Sequence, residues 1–452
     1  MKKWTRVLAI GLLALAFSCD KNPGVEVTPD TEELAISPEV ALKWSNLTLK
    51  VMVGSPNNSP TYGSRSLGYI GLTMYESAVP GSIEFKSIAS QLNGLPEVPK
   101  PVRADLDWEL TVNGGQREII LSLYPQITGA LKTTVDSLHD AIAQARMTAG
   151  VSTEVAQASE DYGKQVAQHI YEWSKSDGGH NGYLNTFSAT YELPQGVQYW
   201  IPPKFGQSTI ELPMHPHWGE NRNFLKANTE LPVPEIIEFS RDKESPYYAQ
   251  MLAVYEKQLT LTQTEKEAAL WWGDDPASSP SPPGHSYYLA STLVDQDQTN
   301  LFEATSVFAR VGMSVADAFI NTFKCKYFYH AERPTQYINR NIHGTYWQFW
   351  PEPPFPSFTS GHSTQAAAAA ASLISVYGDD TPVKDEFHKG RPRDEGRGVD
   401  FKPRSFNTIW AFAEECGWSR ILGGIHTPQD NEKGLEEGKK IGENFGNLSW
   451  KN

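Results

Sequence analysis

Large apolar residues recur in this chain with a period close to that of an α-helix, and that period limits what it can fold into. Phe302, Val311, Val315, Phe319 and Phe323 fall on one helical face, as do Val155, Tyr162, Val166, Ile170 and Trp173. Similar spacing marks 63–78, 130–146 and 246–260. Repetition at this interval gives a helix one apolar stripe to bury against a neighbour. Strict alternation, the mark of half-buried strands, is scarce, so the pattern predicts an all-α fold. Thr264 with Glu267 has the form of a capping box opening a segment that ends at Trp271-Trp272. The run Ala366 to Ala371 predicts a thin helical face that lets two helices approach closely.

At 452 residues the chain exceeds what one hydrophobic core usually serves. The pattern divides it into a helical region at 38–240 and a second helical region at 241–452. The first contains a long irregular stretch, roughly 175–240, rich in Gly, Pro, His and Trp. A charged stretch from Gly378 to Arg404 reads as an exposed loop. Lys and Arg total 39 against 53 Asp and Glu, a formal charge of -14, so the bulk surface repels nucleic acid. Basic groups gathered at one place in such a chain point to a local anion pocket.

The first residues have the grammar of a bacterial export signal: Lys2, Lys3 and Arg6, an apolar core from Val7 to Phe17, then Ser18-Cys19. The expectation is a signal peptide at 1–18, lipidation of Cys19, and a flexible tether over 19–37. The protein is then an exported lipoprotein, anchored by lipid on the periplasmic or cell-surface face. Cys325 and Cys416 lie in apolar helical patterns, where a reduced, buried thiol is the simplest reading.

Three motifs carry the chemistry. In the first, the apolar helix runs up to Lys326, and Pro334 takes Arg333 out of helical geometry just beyond the helix. In the second, Pro353-Pro354-Phe355-Pro356 forbids a regular helix and Ser360-Gly361 then opens one, with His362 in its first turn. A helix start presents unpaired N–H groups and partial positive charge, both suited to an oxyanion. In the third, Arg420 precedes Gly423-Gly424, His426 follows in a loop, and Thr427-Pro428 opens another helix. Asp430 is placed either to orient the His426 ring or to serve as ordinary first-turn helix chemistry. Together these residues supply three cations, two imidazoles and a small-residue turn, a set suited to a tetrahedral oxyanion.

In this order and spacing the motifs resemble the signature of the vanadium haloperoxidase and type 2 phosphatidic acid phosphatase superfamily, over Lys326 to Asp430. Arg65 to Gly81 and Trp272 to His285 look more weakly like segments of its exported bacterial branch, which includes vanadium iodoperoxidases. The resemblance implies a helical fold built on two four-helix bundles. It implies that Lys326, Arg333, Ser360, Gly361 and Arg420 bind the oxygens of vanadate or phosphate. His362 would be the acid-base group, and His426 would be bonded to vanadium or phosphorus.

Vanadate mimics phosphate, so two chemistries share this set. In the first, vanadate is the cofactor and hydrogen peroxide oxidises a halide, iodide best and bromide possible, to hypohalous acid, with Lys326 polarising the bound oxidant. In the second, an exported acid phosphatase cleaves a phosphate ester through a phosphohistidine at His426. Phe355 matches the aromatic position of chloro- and iodoperoxidases, where bromoperoxidases resemble one another in having histidine. Phe323 stands where haloperoxidase relatives often carry Trp. A third reading is a non-catalytic surface lipoprotein that binds phosphate or glycan through the aromatic middle region, where His215 and His217 form an H-x-H pair. Trp271, Trp272, Asp274 and His285 fit either the pocket entrance or an aromatic core.

Overall fold

The structure, a computed structural model, describes residues 36–276 and 278–452. The signal segment, Cys19 and the tether up to residue 35 lie outside them. Among the described residues no helix is long and apolar enough to cross a membrane.

The first region holds α1 (Glu39–Gly54), α2 (Pro60–Ala78), α3 (Trp108–Leu123), α4 (Gly129–Thr148) and α5 (Thr153–Ser174), followed by the short α6 (Lys226–Thr229). Then come α7 (Pro246–Leu259), α8 (Gln263–Trp271), α9 (Ser281–Asp297), α10 (Leu301–Tyr329), α11 (Pro334–Asn341) and α12 (Gly361–Tyr377). A two-stranded antiparallel hairpin, β1 (Val383–Asp385) and β2 (Arg404–Phe406), precedes α13 (Ile409–Leu422) and α14 (Pro428–Gly446). The fold is all-α apart from that hairpin, as the periodicity predicts. Helix α10 packs against α2, α12, α14, α9 and α1; α3 and α5 join through α2, and α13 through α12 and α14. One continuous core, from Val40 to Trp450, spans these helices.

The 29-residue α10 is almost wholly buried, polar residues included. Its Asp317 carboxylate is also buried and accepts from the Phe224 (2.7 Å) and Leu225 (3.2 Å) N–H groups and from Asn228 Nδ2 (2.8 Å). Those bonds tie the irregular 175–240 segment to the central helix. Arg65 on α2 holds the same segment from another side, through Nε to Asp177 Oδ2 at 2.6 Å. His215 and His217 do not form a joint site: His215 is buried between Thr61 and the Gly182 carbonyl, while His217 is exposed beside Glu220.

Two local expectations are corrected. The capping box of α8 is formed by Thr262 and Glu265, not Thr264 and Glu267, because Thr262 is the residue still in extended geometry at the helix start. The segment 378–404 is not simply an exposed loop. It contains β1, and Asp385 and His388 are buried in it by polar contacts with α9 and the end of α8.

The alanine run packs against glycines on α14. A β-carbon on Gly438 would stand 2.1 Å from the Thr364 carbonyl oxygen, and one on Gly442 2.3 Å from that of Ala368. Neither backbone can yield without moving the other helix. Gly438→Ala is therefore expected to destabilise the fold by about 1–3 kcal/mol, read as a lowered denaturant midpoint.

Candidate functional site

Lys326, on the last turn of α10, is fully buried. Its ammonium donates to the carbonyls of Pro356 (3.0 Å), Ser357 (2.7 Å) and Thr359 (2.5 Å), all in the loop before α12. Burial, followed by the nearby Arg333, pushes its pKa well below the ordinary lysine value. Arg333 caps the start of α11 in extended geometry, since the ring of Pro334 disfavours helix there. Its guanidinium donates to Phe355 O (3.1 Å), Ile425 O (2.8 Å) and Pro356 O (3.4 Å), and approaches His426 Nε2 at 3.4 Å. Arg420, on the last turn of α13, donates to Ala269 O (3.0 Å) and His362 Nε2 (3.3 Å). Its Nε is buried without a partner. Burial lowers both guanidinium groups to about 10.

The hydrogen bonds of these three desolvated cations run to carbonyls and imidazoles rather than carboxylates. Such a set is electrically incomplete and favours an anion. The start of α12 adds to it. Ser360 is the N-cap, its Oγ accepting from Ser363 N (3.3 Å) and its carbonyl from Thr364 N (3.0 Å). The N–H groups of Gly361 and His362 therefore precede the first helical bond, at the positive end of the helix dipole. A β-carbon at Gly361 would meet nothing nearer than Thr322 Cγ2 at 4.0 Å, so the space before this turn is open.

Both histidines are neutral. His426 Nδ1 lies 2.9 Å from Asp430 Oδ2, an oxygen that also accepts from Ser357 Oγ (2.6 Å) and Thr427 N (3.1 Å). A carboxylate only accepts, so Nδ1 carries the hydrogen and Nε2 is unprotonated, its lone pair facing Arg333 Nη1 at 3.4 Å. Burial pushes the His426 pKa down to about 3 despite Asp430. Asp430 serves both roles left open by the sequence, because it also closes the capping box of α14 with Thr427. His362 is partly open to the cavity. Its Nε2 faces Arg420 Nη1 at 3.3 Å, and burial and then Arg420 hold its pKa well below the usual value.

One cavity of about 580 Å³ is lined by Lys326, Gly361, His362, His426, Phe323 and Phe355, among others. The Phe323 and Phe355 rings meet at 5.2 Å on its wall. The three motifs thus converge on one space. Cys325 and Cys416 are buried free thiols; Cys416 Sγ lies 3.7 Å from the His362 carbonyl. Ser357, which orients Asp430, was not singled out from sequence; its place three residues before Ser360 was the only available signal.

Residues 306–449 match the model of the VCPO second helical-bundle domain. No curated protein sequence matches significantly. Among solved structures, a bacterial vanadium-dependent iodoperoxidase superposes with a TM-score of 0.78 and 25% identity, covering 92% of this chain and 97% of its own. Residues 306–449 thus form a helical-bundle domain of the VCPO type, and the chain as a whole shares the fold of that iodoperoxidase. A holo-type bacterial vanadium-dependent chloroperoxidase shares the fold at 14% identity and a TM-score of 0.67, over 96% of this chain and 98% of its own. Trp271, Trp272 and His285, placed by sequence at the entrance or in an aromatic core, are buried, and Asp274 is buried at the cavity edge. Asp274, His285 and His388 bring one potential ligand atom each within 4.8 Å of the others.

Two buried imidazoles make stability depend on pH in opposite senses. The folded value of His426, about 3, lies below its ordinary 6.5, so its contribution is full above 6.5 and is lost as pH falls toward 3. For His285, burial is outweighed by Asp274 and Asp385, raising it from 6.5 to about 10; its contribution is full below 6.5 and is lost as pH rises toward 10. Denaturant unfolding of the vanadate-free chain should show these two limbs, and His285→Gln should flatten the alkaline one.

Proposed function

We propose that this enzyme is a vanadium-dependent haloperoxidase that uses hydrogen peroxide to oxidise a halide, iodide best and bromide more slowly, to hypohalous acid. The observation that carries this reading is a cluster of three buried cations without carboxylate hydrogen-bond partners, two of which, Arg333 and Arg420, lie against the neutral histidines that line the cavity.

The residues fit vanadate. Arg420 Nε is an orphaned buried donor, Gly361 and His362 at the start of α12 line the cavity, and His426 offers an unprotonated Nε2. Arg333, Arg420, Lys326, Ser360 and Gly361 would hold the oxyanion oxygens, and His426 Nε2 would be bonded to vanadium. Bound vanadate supplies a Lewis acid that activates peroxide without changing its own oxidation state. Asp430 and Ser357 keep the His426 hydrogen on Nδ1, so Nε2 stays available at neutral pH. His362 Nε2, neutral beside Arg420, can take a proton from an incoming acid and return it to a leaving oxygen. Phe355 and Phe323 give the adjoining wall an apolar surface suited to a large, weakly hydrated halide. The likeness to an iodoperoxidase supports the same preference.

The unprotonated Nε2 of His426 also suits in-line attack on phosphorus, the phosphatase reading. One purified sample separates the two: iodide oxidation by peroxide with and without orthovanadate, and hydrolysis of a generic phosphomonoester. Vanadate is expected to activate the first; vanadate that only inhibits the second would establish the phosphatase. His426→Ala should abolish turnover, and His362→Ala should keep vanadate but slow turnover by about 10²-fold. Arg333→Ala and Arg420→Ala should each weaken vanadate binding by about 3–5 kcal/mol, measured by calorimetry.

Export as a lipoprotein anchored through Cys19 is part of the proposal, supported by the signal-like sequence before it. Cys19→Ala should abolish metabolic labelling by fatty acid; persistent labelling would exclude this anchor.

A further inference from the structure

We propose that the buried group Asp274, His285, Asp385 and His388 is a positioning device for His362 and Arg420, acting through the C-terminal turn of α8. The inference rests on the haloperoxidase reading for its consequence in turnover, but its geometry stands apart from it.

His285 lies with both ring nitrogens on carboxylates: Nδ1 to Asp274 Oδ2 and Nε2 to Asp385 Oδ2, each at 2.9 Å. Asp385 is already an acceptor, from Trp271 Nε1 (2.5 Å) to Oδ2 and from Phe387 N (3.0 Å) to Oδ1. Two N–H donors are needed, so the ring is an imidazolium. It is sandwiched between Trp272, with centroids 4.5 Å apart and planes 22° off parallel, and Phe387 at 4.2 Å and 25°. Cation and aromatic faces attract, so the charge grips the Trp272 indole.

His388 Nε2 lies 2.8 Å from Asp274 Oδ1, and its Nδ1 faces Arg391 Nη1 at 3.1 Å. Arginine only donates, so the lone pair of His388 is on Nδ1 and its hydrogen points at Asp274. A metal needs ligand lone pairs directed at one point. His285 has none to offer and His388 directs its own elsewhere. The trio is therefore an ion-pair relay rather than a cation site. Its charges balance: His285 and Arg391 are positive, Asp274 and Asp385 negative.

The relay holds residues 271–274, where Asp274 has a left-handed φ of 46°. The same turn positions the chemistry through Arg420: Ala269 O receives Arg420 Nη2 at 3.0 Å, and Arg420 Nη1 in turn lies 3.3 Å from His362 Nε2. With Arg420 donating to His362 Nε2, the hydrogen of His362 is on Nδ1. The relay thereby fixes which nitrogen of His362 faces the reaction, without touching the reacting atoms.

The test compares wild type, His285→Gln and His388→Gln as full purified chains, with orthovanadate as the probe. Glutamine at 388 offers one donor and one acceptor, as His388 does; glutamine at 285 cannot donate to carboxylates on opposite sides. His285→Gln is expected to bind orthovanadate within about threefold of wild type, with the peroxide KM unchanged, yet lose about tenfold or more in turnover per bound vanadate. Nitrogen-15 NMR should show His362 leaving its single Nδ1–H tautomer in that variant and retaining it in His388→Gln. Wild-type turnover per bound vanadate together with an unchanged His362 signal in His285→Gln would overturn the proposal. Equal losses in both variants, with one equivalent of divalent metal in the wild-type chain, would overturn it in favour of a cation site. Absence of vanadate-dependent turnover in wild type would remove the functional reading alone, leaving the NMR comparison to decide the positioning. Should His285→Gln fail to fold, Asp385→Asn breaks the same bridge from the other side and carries the same measurements.

Discussion

The placement of Lys326 inside the protein is the constraint on which the site depends. A buried ammonium must satisfy three donors, and it does so on the carbonyls of Pro356, Ser357 and Thr359. Proline at 353, 354 and 356 removes helix from this loop, and the lysine then gives the loop one shape. From that shape follow the cap at Ser360, the opening of α12, and the approach of Ser357 to Asp430. Arg333 braces the same loop through Phe355 O and Pro356 O and reaches across to Ile425 O, so the motifs hold one another.

The electrostatics have a common logic. Each imidazole lining the cavity is kept neutral by burial next to a guanidinium, and the carboxylate that touches one of them, Asp430, also accepts from Ser357 and Thr427. The imidazole kept charged, His285, is set apart behind α8, where two carboxylates surround it. One side chain type is thus neutral in one place and charged in another, and the number of carboxylates facing it decides which.

Much of this was legible in the sequence where chemistry and local geometry coincide. The period of Phe319 and Phe323 gave α10, and the proline run followed by Ser360-Gly361 located the start of α12 to the residue. The convergence of Lys326, Arg333, His362, Arg420 and His426 followed from motif order and resemblance. What was not legible depends on distant partners. Asp385 and His388 sit in a charged stretch indistinguishable from a solvent loop until His285 and Asp274 are placed opposite. Ser357 is one serine among several near a turn, and only the position of α14 makes it a support for Asp430. The α8 cap was misplaced by two residues because Thr262 and Thr264 each have glutamate three positions on, and only backbone geometry chooses between them.

The contact of α12 with α14 reaches further than packing. Gly438 and Gly442 bring the α14 backbone against carbonyls of α12, the helix that opens with His362, while α14 itself opens with Asp430, the partner of His426. The separation of the two histidines is thus set by peptide against peptide, a ruler with no adjustable side chain. Variants of this scaffold can inherit that spacing while diverging in the cavity wall, at Phe323, Phe355 and the loop carrying Leu184 and Phe187. The spacing at the proposed site is thus set by backbone contact, while the adjoining cavity wall is built from residues that take no part in that contact.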